Sequence, residues 1–123
     1  MTDHARDQAK AQLESIQEMV RALDAENDGE REKAELRIQE DAWKVAVRAD
    51  WHQPGEGGAY DEYMILLCTG GPACRIKGAL SANAPMSAII EYQNWGAPWE
   101  KYPISGEEEE TLLRYAQQFY FES

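Results

Sequence analysis

The chain has 123 residues, with 23 Asp and Glu against 12 Lys and Arg, for a formal net charge of −11 at pH 7. That length builds one domain around one modest core, and a hydrophobic fraction of 43% with 10% aromatic residues excludes a disordered acidic tail. The charge disfavours nonspecific binding to nucleic acid or anionic membrane, no apolar run approaches the roughly 20 residues of a membrane span, and the start MTDHARDQAK lacks an apolar signal core.

Residues 3–25 read as an amphipathic helix. Ala5, Ala9, Leu13, Ile16, Val20 and Leu23 recur at steps of three and four, which keeps them on one stripe. Thr2 or Asp3 can cap its start, and Asp3 and Asp7 suit the positive end of the helix dipole. The segment Glu26–Gly29 breaks it, with Gly29 available for a left-handed stop. A second, shorter helix over 30–40 has a thin apolar side of Ala34, Ile38 and Leu36, and is expected to pack on the first as a hairpin.

The period then changes. Trp43, Val45, Val47 and Ala49 alternate with Lys44, Ala46, Arg48 and Asp50, as in a half-buried strand. A loop rich in glycine follows over 52–58. Residues 63–68 (Tyr-Met-Ile-Leu-Leu-Cys) form a nearly continuous apolar run expected to be the central strand. Thr69–Pro72 turns the chain, and Cys74, Ile76, Gly78 and Leu80 alternate with Arg75, Lys77 and Ala79 in the second arm of a hairpin. Residues 81–85 turn it again, and Ala88–Trp95 reads as a fourth strand. An aromatic connection over 96–103 leads to a last helix. Ser105 followed by Glu108 is a capping box, and Leu112, Leu113, Ala116, Phe119 and Tyr120 supply the buried stripe.

The order α-α-β-β-β-β-α implies an α+β fold: a four-stranded antiparallel meander with an N-terminal helical hairpin and a C-terminal helix. One domain is expected over 1–123, divided into an acidic hairpin (1–41), a sheet (42–102) and the last helix (103–123). Residues 1–41 hold 12 acids and 6 bases, 42–102 hold 6 and 5, and 103–123 hold 5 and 1. The excess sits in the helical ends. Exterior helix faces ordinarily carry charge, but segregated charge also suits a surface that meets a partner.

No catalytic constellation emerges. Cys68 and Cys74 flank a turn, and only His4 and His52 could join them. Zinc needs about four ligands, so no metal site is expected, and the reading is of two small buried or half-buried thiols. They are expected to stay reduced in a cytoplasmic chain. Thr69-Gly70-Gly71-Pro72 precedes a strand rather than a helix, so it lacks the amides of a phosphate cradle. Asp61 with Glu62, and Asp50 near His52, have no nucleophile or ligand set beside them. The run Glu107–Glu110 exceeds what a helix start requires, because neighbouring carboxylates repel. Trp95 and Trp99 lie in a loop that core needs explain less easily; either the loop folds back and buries both rings, the commoner outcome for tryptophan, or one ring is an exposed apolar anchor.

Three strings resemble a known family: Met64-Ile-Leu-Leu-Cys-Thr-Gly-Gly-Pro-Ala-Cys-Arg-Ile-Lys-Gly78, Glu91-Tyr-Gln-Asn-Trp-Gly-Ala-Pro-Trp-Glu-Lys-Tyr102 and Tyr115-Ala-Gln-Gln-Phe-Tyr-Phe121. The family comprises small acidic accessory proteins of phages, plasmids and integrated mobile elements. The resemblance covers residues 40–123 and implies a protein of the anti-CRISPR or antirestriction type, cytoplasmic in a bacterial host. The expected function is non-enzymatic. The protein would act as a nucleic-acid mimic, inhibiting a host defence effector (a CRISPR complex or restriction nuclease) by docking on its nucleic-acid-binding surface. Partner-binding residues are Glu107, Glu108, Glu109 and Glu110, with Glu26, Asp28, Glu30 and Glu32 of the helical hairpin and Trp95 or Trp99 as apolar anchor. The alternative is a small-ligand or regulatory module using the tryptophan-rich loop and the sheet face. No cofactor, metal, direct nucleic-acid contact or membrane is expected.

Overall fold

The computed structural model describes residues 4–49, 51, 53–54, 60–69, 72–94, 97–119 and 121. Three helices, α1 (His4–Ala22), α2 (Asp28–Asp41) and α3 (Gly106–Ala116), accompany six strands. These are β1 (Lys44–Arg48), β2 (Glu62–Cys68), β3 (Ala73–Ser81), β4 (Ala84–Pro85), β5 (Ile89–Gln93) and β6 (Glu100–Tyr102). The class is α+β with an antiparallel sheet, as expected. The sheet is not a four-stranded meander: its order is β1-β2-β3-β5-β6, and β4 pairs with β3 off that path. The two extra strands are two and three residues long, too short for period-2 patterning to reveal.

The pleat of β2 buries Tyr63, Ile65 and Leu67 and leaves Glu62, Met64, Leu66 and Cys68 half-exposed. Cys74, Ile76 and Leu80 continue the buried face in β3, and Ile90 and Tyr92 in β5. The stripe of α1 lies against this face: Ala5, Ala9, Leu13, Ile16, Met19 and Val20 are all buried, and α1 packs on β3 and β5. Leu112, Tyr115 and Ala116 of α3 complete the core beside it. Each fully buried aliphatic side chain contributes about 1.5–3 kcal/mol relative to exposure.

Gly29 does not end α1. That helix closes in a tight turn in which Leu23, Asp24 and Ala25 donate to the carbonyls of Val20, Arg21 and Ala22, and Gly29 lies in the first turn of α2. Asn27 is the N-cap of α2, accepting from Gly29 N at 2.8 Å. The β3–β4 turn puts Ala82 (φ 50°) and Asn83 (φ 65°) in the left-handed region, the requirement of a two-residue hairpin with the twist of its strands. Asparagine accommodates that geometry more readily than alanine.

Gly78 is imposed by the close approach of Ser87. Tyr63 Oη donates to the Ser87 carbonyl at 2.7 Å, and Ser87 Oγ accepts from Ala79 N at 3.0 Å. A Cβ at Gly78 would fall inside the Ser87 carbonyl and 2.9 Å from Tyr63 Cε1. Gly78→Ala is therefore expected to destabilise the fold by about 2–4 kcal/mol in urea denaturation, with loss of the Tyr63–Ser87 bond.

Candidate functional site

The four glutamates of α3 are not equivalent. Ser105 Oγ accepts from Glu108 N at 3.2 Å, and Glu108 Oε1 accepts from Ser105 N at 2.8 Å, completing the expected capping box. Glu109 Oε2 accepts from Ala88 N at 3.3 Å, tying α3 to the chain entering β5. Glu107 and Glu110 alone are exposed. Two carboxylates are thus engaged in holding α3, and the other two bond to no side chain or backbone group among the described residues.

Glu26, Asp28, Glu30 and Glu32 are all exposed. Asp28 pairs with Arg31 one turn on. In α2 only Ala34 and Ile38 are buried, while Leu36, expected to share the apolar side, is 57% exposed. The helix is polar nearly all round and is held largely from its ends. Tyr115 Oη donates to Asp41 Oδ2 at 2.8 Å, and Gln39 Nε2 donates to the Gln118 carbonyl at 3.2 Å. Burial pushes the Tyr115 hydroxyl well above its usual range, and the Asp41 carboxylate adds to the shift. Arg114 grips Asp24 with both guanidinium nitrogens, at 2.7 and 3.0 Å. The turn carrying Glu26 and Asp28 therefore meets the C-terminal end of α3, whereas Glu107–Glu110 lie at its N-terminal end. The 11 residues of α3, about 16 Å of helix, separate the two acidic groups.

Of the expected anchors, Trp99 is half-buried, with the Arg75 guanidinium 4.0 Å from its ring centroid. Trp95 lies outside the described residues. Trp43, which the alternation of residues 43–49 groups with Val45 and Val47, is 72% exposed, and Trp51 is fully exposed. Trp43 stands just before β1 at the edge of the sheet, where no neighbouring strand covers it.

Cys68 and Cys74 are register partners across β2 and β3, beside a bulge at Leu67. Both are free; Cys74 is buried and Cys68 half-buried, with its Sγ 3.9 Å from the Pro72 carbonyl. Burial pushes the Cys74 thiol well up, and Cys68 adds to this, which disfavours the thiolate form at neutral pH. His4 begins α1, and His52 lies outside the described residues. Among the described residues no group of three His, Cys, Asp or Glu side chains is placed to hold a metal, and no helix is long and apolar enough to cross a membrane.

A second surface escaped the sequence reading. On the sheet face opposite the core, β1 presents Lys44 and Arg48, β3 presents Arg75 and Lys77, and β6 presents Lys101, against only Glu62 and Glu91. Arg48 pairs with Glu62, and Arg75 with Glu91 at 2.8 Å. Counting charge over the whole of 42–102 hid this basic face, because acids off the face, such as Asp61 before β2 and Glu100 of β6, enter the same sum. Counting alternate residues of each strand would have found it. Two shallow recesses indent the surface. One, of about 430 Å³, lies between Ile89, Lys101 and the start of α3, and the other, of about 210 Å³, lies over Met64 and Lys77.

These assignments separate supporting carboxylates from free ones. Glu108→Ala is expected to cost about 1 kcal/mol of stability through loss of the capping box, whereas Glu107→Gln and Glu110→Gln stay within about 0.5 kcal/mol of native in urea denaturation. The hydrogen bonds from Arg114 hold the Asp24 carboxyl below its usual value of 3.8. Its contribution is complete above that value and is lost as pH falls through the lowered one. Arg114→Gln is therefore expected to flatten the dependence of the unfolding midpoint on pH below about 4.

No protein-family model, curated protein or solved structure significantly matches the chain.

Proposed function

We propose that the protein is a non-enzymatic binding protein that docks an acidic helical surface on a basic, nucleic-acid-binding surface of a host defence effector, blocking it by steric and electrostatic competition. The observation that carries this reading is α2. Apart from the buried Ala34 and Ile38 and the half-buried Asp41, its length is exposed, with five acids against three bases. Core packing and helix capping use few of those acids, so they are available to a partner. Glu26, Asp28, Glu30 and Glu32 form the leading group, with the free Glu107 and Glu110 as a second. The solvated Leu36 is better placed than Trp99 as an apolar anchor, because Arg75 already covers a face of the Trp99 ring. The resemblance of the Met64–Gly78, Glu91–Tyr102 and Tyr115–Phe121 strings to mobile-element accessory proteins supports a CRISPR complex or restriction nuclease as the target, in a bacterial cytoplasm.

The test is affinity capture from host lysate by the native protein and by Glu26→Gln/Glu30→Gln/Glu32→Gln, followed by nuclease assays on the captured complex. A nucleic-acid-binding complex retained at low salt, shed at high salt and inhibited by the native protein is expected. The triple variant should bind it at least about tenfold more weakly, roughly 1.4 kcal/mol. Equal capture by the variant, or no inhibition of the captured complex, overturns the reading.

A further inference from the structure

We propose that the open face of the sheet is a second docking surface, and that its occupant is an acidic amphipathic helix of a protein partner lying along β2. The floor of the trough is apolar: Met64 and Leu66 of β2, with the small Ala46 of β1 opposite Met64. Its walls are cationic. Lys44 stands opposite Leu66 on one side, and Lys77 opposite Met64 on the other. Neither lysine takes part in an ion pair among the described residues. The walls are two strand spacings apart, about 9.6 Å, which matches the roughly 10 Å width of a helix with its side chains. Arg75, opposite Leu66, is engaged by Glu91 and by the ring of Trp99. A helix seated here places an apolar stripe on Met64 and Leu66 and sets carboxylates on its flanks against Lys44 and Lys77.

Charge complementarity and the aliphatic floor select this occupant over the alternatives. A nucleic-acid strand on an open sheet stacks its bases on aromatic rings. The floor here is aliphatic, Arg75 occupies a face of Trp99, and Glu62 and Glu91 repel phosphates within the same field. The recess of about 210 Å³ falls below the range of roughly 300–1,000 Å³ typical of small-molecule pockets. Five bases against two acids give this face a local positive excess on a molecule of net charge −11.

The probe is a fluorescein-labelled helical peptide of about 18 residues, roughly five turns, with leucine at i, i+3, i+4 and i+7 and glutamate on both flanks. A scrambled peptide of the same composition and an oligo-dT of equal length serve as comparators. Fluorescence anisotropy is expected to show saturable binding of the patterned peptide, weaker binding of the scramble and none of oligo-dT. Lys44→Gln/Lys77→Gln should weaken binding about tenfold. Lys101→Gln, on the far edge strand, should leave it within about twofold of native, as should the triple α2 variant, so this result is independent of the acidic-helix reading. Absence of saturable binding, equal binding of the scramble, an equal loss on Lys101→Gln or tighter binding of oligo-dT each overturns the proposal. Far-UV circular dichroism confirms that the exposed lysine variants stay folded.

Discussion

The structure depends on covering one face of the sheet with α1. Tyr63, Ile65, Ile76 and Ile90 form a contiguous apolar surface, and the α1 stripe from Ala5 to Val20 lies against it. Because strand side chains alternate with period two, burying that set forces Met64, Leu66, Arg75 and Lys77 to the other side. A slip of one residue in β2 or β3 would carry Arg75 and Lys77 under α1, where unpaired charges are costly. Packing against α1 thus sets the register, and the basic face is its direct consequence.

The other helices are attached to this unit in different ways. Leu112, Tyr115 and Ala116 seat α3 in the core, the capping box fixes its start, and the paired Arg114 fixes its end. By contrast, α2 relies on Ala34, Ile38, the Asn27 cap and a few polar contacts at its ends. A helix with so little buried area opens more readily than the sheet it accompanies. Its outward residues can also be replaced at small cost to folding, because they touch no part of the core.

The result is a molecule with two electrostatic characters. Acids concentrate on α2, its preceding turn and the start of α3, while the sheet face opposite the core carries five bases against two acids. Net charge alone describes only the first. The two characters adjoin at one place, where Lys101 of the sheet and Glu109 at the start of α3 line the same recess.

Local pattern in the sequence was enough for the helices and the long strands. Steps of three and four placed the α1 stripe, alternation placed β1 and β3, a continuous apolar run placed β2, and Ser105 with Glu108 marked the start of α3, because each signal depends on neighbours in the chain. Asn27 was legible as a cap but was passed over for Gly29. What depended on distant residues was decided only by the tertiary structure. β4 and β6 exist because β3 and β5 offer them edges. Tyr63 and Ser87 approach each other across the bare Cα of Gly78. Ala88 recruits Glu109, so that a run of four glutamates becomes two supports and two free charges. Whether a side chain faces the core or the solvent follows from strand pairing, and strand pairing is a long-range property. That is why the acids of the helices were visible from composition, and the basic face was visible only once the sheet was assembled.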